Sequence, residues 1–215
     1  MESGIANRTH PMGEPPWAVG QASDMKILKV IAGMLLCLFL GGYCIAGELP
    51  SAPPPGGDFT LESLKGSVST RQFRGKVVML YFGYTQCPDI CPTSLSAMTQ
   101  ALNELDEAEL NKVVGVFVSV DPERDTPASL AGYVGYFHPS FIGVTGAPEA
   151  VDAAARLYGV QYTLTREEGS ALEYTVDHSA IVYLIDPSGV LRFAFPHGTS
   201  AETLLGAIRL LLENP

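Results

Sequence analysis

Two stretches of the chain are continuously apolar and rich in β-branched residues, Lys76–Gly83 (KVVMLYFG) and Lys112–Val120 (KVVGVFVSV). A strand that alternates faces water on one side, whereas an unbroken apolar run predicts a strand covered on both. Pro92–Asp106 changes period, with Leu95, Met98, Leu102 and Leu105 on one helical face. Helices are also predicted over Thr126–Phe137, Pro148–Tyr158 and Ala201–Leu212, and a short strand over Phe141–Thr145. Ala180–Asp186 (AIVYLID) and Val190–Phe195 flank Pro187-Ser188-Gly189, a hairpin turn signal. Thr165-Arg166-Glu167-Glu168-Gly169 reads as an exposed hairpin loop. No internal repeat appears.

Strand, helix, strand, helix, then hairpin and helix is the thioredoxin-like order: an α/β fold with a mixed central sheet flanked by helices, over residues 58–215. Three zones precede it. Residues 1–24 are polar, rich in Pro and Gly and without period, and read as a disordered tail or as a mis-assigned start ahead of Met25. Residues 25–47 bring Lys26 and Lys29, then seventeen residues from Val30 to Ala46 without a charge. That length lies between a signal-peptide core and a transmembrane helix. Lysines before it and Glu48 after it place the rest of the chain outside the cytoplasm, whether the segment is cleaved or kept as an anchor. Residues 48–57, with Pro50 through Gly57 (PSAPPPGG), are a stiff linker. The expected place is the bacterial periplasm, tethered to the inner membrane.

Composition narrows the function classes. Hydrophobic residues are 47% and charged ones 17%, a chain that can bury a core. From Gly47 onward twenty acidic residues stand against ten basic ones. A surface of that sign does not track phosphates, so nucleic acid is excluded as a partner. It suits a cationic ligand or partner. The four cysteines are too few for a disulfide scaffold.

Their placement matters more. Cys37 and Cys44 fall in the apolar segment, where Leu36 and Tyr43 ahead of them fit lipid modification poorly. Cys87 and Cys91 lie in Tyr84-Thr85-Gln86-Cys87-Pro88-Asp89-Ile90-Cys91-Pro92, at a strand-to-helix junction. Pro92 suits the first helical position, which puts Cys91 at the cap and Cys87 in the loop. Both then face the positive end of the helix dipole, which favours thiolate. Residues four apart on a helical turn hold their Cβ atoms about 5–6 Å apart, against the roughly 3.5–4.5 Å of a disulfide. A shared soft ion tolerates that gap better. Redox cycling of the pair, and a static disulfide, remain open at this point.

A third donor is expected in Val176-Asp177-His178-Ser179, just ahead of a strand antiparallel to Lys76–Gly83. That topology lands His178 beside the cysteine loop. Two thiolates and an imidazole suit copper, in the cuprous or the cupric state. Zinc fits by donor type, but a structural zinc asks for four ligands. Asp121, in Asp121-Pro122-Glu123-Arg124-Asp125-Thr126-Pro127, leaves the sheet by the same edge and is a candidate to orient a ligand or meet a partner. Asp125 and Thr126 are candidate caps for the next helix. Asp177 is a candidate to pair with Arg124 or to tune His178. His138 and His197 are expected on the surface. Met79 and Met98 fit core positions.

These residues, taken together, resemble the Sco/SenC family, thioredoxin-like copper chaperones of cytochrome c oxidase assembly. The resemblance runs from about Gly57 to Leu212. It is carried by Gly57-Asp58-Phe59-Thr60-Leu61, Tyr81-Phe82-Gly83-Tyr84-Thr85, Cys87-Pro88-Asp89-Ile90-Cys91-Pro92, Val118 through Pro127 and Asp177-His178-Ser179. Two departures accompany it: Val144 where a leucine is common, and the tail before Met25. The resemblance implies one copper held by Cys87, Cys91 and His178. It also implies delivery of copper to the dinuclear site of cytochrome c oxidase subunit II, reduction of that site's cysteines, or both. A thiol–disulfide oxidoreductase or redox sensor using Cys87 and Cys91 as a redox-active pair without obligatory metal, supplied by a thiol–disulfide reductant, is the alternative. A peroxidase of the peroxiredoxin kind fits less well, because Thr85 precedes Cys87 by two but no supporting arginine is evident.

Overall fold

In the computed structural model, which describes residues 54–166 and 174–214, the two apolar runs become neighbouring strands. They are β3 (Val77–Gly83) and β4 (Val113–Ser119), parallel to one another and buried at every position. β5 (Phe141–Val144) extends the sheet in parallel beyond β4. β8 (Ile181–Ile185) pairs antiparallel with the other side of β3, and β9 (Leu191–Pro196) closes the edge antiparallel to β8. The order β5-β4-β3-β8-β9 is a thioredoxin-like mixed sheet. Central β3 and β4 are buried throughout, whereas edge strand β9 alternates half-buried and exposed, as one-sided burial requires.

The helices are α1 (Ile90–Asn103), α2 (Glu107–Leu110), α3 (Pro127–Phe137), α4 (Pro148–Leu157) and α5 (Ala201–Glu213). Their starts follow from chemistry near the chain. Thr126 caps α3 by accepting from the Ser129 N–H at 3.1 Å, with Pro127 in the first turn. Ser200 caps α5 by accepting from the Thr203 N–H at 3.2 Å. α1 begins two residues earlier than expected: Ile90 is its first residue and Pro92 its third. The missing N–H of Pro92 still costs no helical bond, since the first four N–H groups of a helix have no intrahelical acceptor.

Four strands and the short α2 were not legible from periodicity. β1 (Thr60–Ser63) and β2 (Gly66–Ser69) form a small antiparallel hairpin. β6 (Tyr162–Arg166) and β7 (Tyr174–His178) form a two-stranded ribbon that pairs with no other strand among the described residues. The stretch from Thr165 to Gly169 reads as an exposed hairpin loop from its sequence; residues 167–173 lie outside the described residues, Thr165 and Arg166 belong to β6, and β6 and β7 are the paired stems of that hairpin. The expected linker is docked by its last residues. The Gly56 N–H donates to the Leu157 carbonyl at 3.0 Å, and the Tyr158 hydroxyl donates to the Gly57 carbonyl at 2.9 Å.

His138 corrects an expectation. It is buried, not exposed: its ring stands edge-on to Phe141, and Nδ1 accepts from the Ser140 N–H at 3.1 Å. Burial lowers its pKa and keeps the ring neutral. His197 is exposed as expected, with Nδ1 3.1 Å from the Ser94 hydroxyl. The expected apolar segment Val30–Ala46 lies outside the described residues. Among those described, no helix is long and apolar enough to cross a membrane.

Candidate metal centre

The end of β3 and the start of α1 meet in a six-residue loop. Cys87 sits in it, its N–H donating to the Tyr84 carbonyl at 3.3 Å. Cys91 is the second residue of α1 and has no exposed surface. Gly83 makes that possible, since a Cβ there would lie 2.7 Å from Cys91 Sγ. The loop is tied down from β4 and its exit. Buried Asp125 accepts from the Thr85 N–H (3.0 Å), the Thr85 hydroxyl (2.5 Å) and the Ser119 hydroxyl (2.6 Å). Asp125 is thus an internal anchor, while Thr126 caps α3.

His178 ends β7, opposite Tyr162. Its Nε2 lies 3.2 Å from Cys91 Sγ, and its Nδ1 lies 3.3 Å from the Ser179 carbonyl. A carbonyl only accepts, so Nδ1 carries the proton and the Nε2 lone pair faces the sulfurs. Tyr81 and Tyr84 stand edge-on to the imidazole at 6.1 and 5.8 Å. The two sulfurs and a ring nitrogen of His178 all lie within 4.8 Å of one another. The structure therefore brings together the three residues singled out from spacing and topology.

Both thiols are free. The hydrogen bond from Cys91 lowers the Cys87 pKa, against the effect of burial. The same contact and full burial push Cys91 up. The two titrate as a pair, with a thiolate on Cys87 stabilised by a thiol on Cys91. Burial and the nearby sulfurs likewise hold Tyr81 protonated.

The two expected supporting carboxylates are placed differently. Asp121 is buried and so offers no surface to a partner. It accepts from the Tyr174 hydroxyl at 2.7 Å and forms a close ion pair with Arg124 Nε. Asp177 is exposed and accepts from the Thr165 hydroxyl at 3.4 Å, whereas Arg124 pairs with Asp121. Sequence reasoning passed over Tyr81, Tyr84 and Tyr174. One signal was available: aromatic residues flank a glycine at the very end of a buried strand.

The SCO1/SenC family profile matches residues 48–213. The mouse (Mus musculus) protein named SCO2 homolog, mitochondrial, is 42% identical over 155 residues, which are 71% of this chain and 60% of that protein. The crystal structure of Arabidopsis thaliana ScoI with copper bound superposes with a TM-score of 0.66 at 41% identity, covering 72% of this chain and 96% of that one. The solution structure of apo Sco1 from Thermus thermophilus gives a TM-score of 0.68 at 40% identity, with 75% and 94% covered. With a profile match over most of its length, relatives above 40% identity and a thioredoxin-like sheet to carry them, the chain belongs to the SCO1/SenC family.

Proposed function

We propose that this chain is a copper-carrying assembly factor that holds one copper ion on Cys87, Cys91 and His178. One observation carries the reading: two sulfurs and an imidazole nitrogen converge within 4.8 Å at the end of the central strand. Thiolate sulfur selects Cu(I), and imidazole accepts either copper state. The Arabidopsis relative described with copper bound supports the same cargo. The receiving partner in this reading is the dinuclear copper site of cytochrome c oxidase subunit II. Residues 47–215 would then work outside the cytoplasm, in the bacterial periplasm, tethered by residues 25–47.

Cargo release is served by the unequal thiols. Cys91 and its sulfur are sealed in the core, while Cys87 lies in a loop at 8% exposure. An acceptor thiolate approaches from the Cys87 side and displaces ligands in turn. The same asymmetry favours a second activity on the same residues. Cys87 thiolate attacks an acceptor disulfide and one acceptor sulfur leaves as thiolate; Cys91 then gives its proton to a leaving acceptor thiolate and attacks Cys87 Sγ, so that the mixed disulfide breaks and the second acceptor sulfur leaves. Two electrons pass to the acceptor and Cys87–Cys91 is left oxidised. A copper donor that first reduces its acceptor's cysteines would use both.

Anaerobic copper titration of the reduced protein tests the first reading. One tightly held copper per chain is expected, lost in Cys87→Ala and Cys91→Ala and weakened at least tenfold in His178→Ala. Binding indifferent to His178 would overturn the three-ligand site and leave the dithiol reductase, with its reduction potential as the next measurement.

A further inference from the structure

Among the described residues, the ribbon that carries His178 shares no strand pairing with the five-stranded sheet. Something else must hold the imidazole 3.2 Å from Cys91. On the β6 side, Tyr162 donates a short hydrogen bond to Asp152 of α4. On the β7 side, where His178 sits, the connection runs through Arg124.

Arg124 lies in the loop after β4 and is mostly buried. Its Nε pairs with buried Asp121, and its Nη1 donates to the Tyr174 carbonyl at 3.0 Å. Its guanidinium lies over the Tyr174 ring at 3.7 Å and over the Tyr84 ring at 5.7 Å. Nη1 also reaches the Gln86 side-chain oxygen in the cysteine loop, at 3.4 Å. Tyr174 completes the closure by donating its hydroxyl to Asp121 at 2.7 Å. Burial and that carboxylate push the Tyr174 phenol up to about 12, so the donor stays protonated. One planar cation thus bonds the first residue of β7, stacks on it, and touches the loop that bears Cys87. Tyr84, under the same guanidinium, presents its edge to the His178 ring.

We infer that Arg124, locked by Asp121 and Tyr174, is the positioning residue for His178: a clasp that fastens the ribbon to the cysteine loop and sets whether the imidazole reaches the metal. This deepens the copper reading and rests on it. The clasp acts mainly on the third ligand, because Gly83, α1 and Asp125 place the two sulfurs and the one bond from Arg124 to the cysteine loop, to Gln86, is long at 3.4 Å. It gives the protein a way to drop one ligand without disturbing the other two, since freeing the ribbon withdraws the imidazole and leaves a dithiolate site for the acceptor. A guanidinium suits this role and an ammonium does not, because only the planar fork can bond Asp121 and the Tyr174 carbonyl while stacking on a ring.

The test compares wild type, Arg124→Gln, Tyr174→Phe and His178→Ala, each loaded with aqueous Cu(II) against a chromophoric chelator. Pulsed EPR reads the coupling of the imidazole nitrogen to the copper. Arg124→Gln is expected to lose affinity about tenfold or more, the range seen when groups that orient a ligand are removed. It should also lose most of the imidazole coupling, as His178→Ala does, while thiol titration still counts both cysteines. Tyr174→Phe removes one hydroxyl and should fall between wild type and Arg124→Gln; if Arg124→Gln does not fold, this variant decides. Hydrogen exchange of the apo protein should be faster across β6 and β7 in both variants and unchanged in β3 and β4. Wild-type coupling and affinity in a folded Arg124→Gln, or in Tyr174→Phe where Arg124→Gln does not fold, would overturn the clasp. A His178→Ala protein that binds copper like wild type would overturn the copper reading and the clasp with it, so the two failures are separable.

Discussion

Cys91 and His178 face each other across 3.2 Å, yet they are held there in opposite ways. The cysteine belongs to the core: it sits in the first turn of α1, sealed against β3 with no exposed surface. The histidine ends a ribbon that, among the described residues, pairs with no other strand and is fastened by side chains. Core positions are fixed by packing density and move only with the whole fold. Side-chain fastenings open at lower cost, and moving elements are drawn from such low-stability parts. The centre is therefore half rigid and half adjustable, which is what a protein needs if it must bind a metal tightly and still give it up.

The rigid half breaks most severely at Asp125. Asp125→Ala strands the Thr85 N–H, the Thr85 hydroxyl and the Ser119 hydroxyl at the end of two buried strands. Unpaired buried donors cost about 1–3 kcal/mol each, and Thr85 is half-buried, so a loss of about 3 kcal/mol is expected in chemical unfolding. Copper should bind more weakly in proportion to the disorder of the Cys87 loop. Unfolding at the wild-type midpoint would show that packing alone holds the loop.

Gly83→Ala attacks the same half more locally. The new Cβ would lie 2.7 Å from Cys91 Sγ and 3.1 Å from the Tyr81 and Phe117 rings. Overpacking of this kind costs about 1–3 kcal/mol. The sulfur is the nearest of these contacts, so its displacement as a ligand is the larger consequence. Stability should drop by about 2 kcal/mol, and copper affinity by tenfold or more, with His178 still in place by EPR. Unchanged affinity would mean that the site tolerates a shift of Cys91.

How much of this was legible in the sequence follows the same division. The cysteines, the sheet order and the placement of His178 at one edge came from apolar runs and turn residues, because buried strands and capped helices leave a periodic trace. The ribbon left only the polar loop of a hairpin, with no periodic trace of its strands. Tyr162–Arg166 is held by pairing with Tyr174–His178 and by the Tyr162 to Asp152 bond, and a polar two-stranded ribbon looks like a loop in one dimension. Asp177 and Asp121 were equivalent on paper. Only the fold shows that one faces water while the other is buried against Arg124. His138 read as a surface residue because its neighbours Pro139 and Ser140 are polar-turn residues, whereas its ring packs edge-on to Phe141.

Asp186 lies at the end of β8 opposite the metal centre, and it separates stability from binding. It accepts from the Ser188 hydroxyl (2.6 Å), the Val190 N–H (2.9 Å) and Arg192 Nε (2.6 Å). Burial alone would raise its pKa, but these donors hold it at about 2, against 3.8 for a free aspartate. A depressed carboxylate contributes stability that is present above pH 4 and lost as pH falls from about 4 towards 2. The contribution is about 2 kcal/mol. Asp186→Asn should therefore destabilise the protein by that amount at pH 7 and flatten the acid limb of the stability curve. Copper binding at pH 7 should stay as in wild type. An acid limb as steep as wild type would place the sensitivity in another carboxylate.

Ser179→Ala is the smallest change and tests the adjustable half at its closing end. The Ser179 hydroxyl accepts from the Gln161 N–H at 3.1 Å and donates to the Gln161 carbonyl at 3.3 Å, both exposed to solvent. The backbone bond from the Ser179 N–H to the Gln161 carbonyl, 2.9 Å, survives the substitution, as does the carbonyl that orients His178 Nδ1. The hydroxyl is worth about 0.5–1 kcal/mol, or a fall in melting temperature of roughly 1–4 °C for a chain of this size. Copper affinity should change by no more than about threefold, because Arg124 and Tyr174 still fasten the start of β7. A tenfold loss would instead place the control of His178 at the ribbon's closing end, and the rigid and adjustable halves would then meet at Gln161 and Ser179 rather than at Arg124.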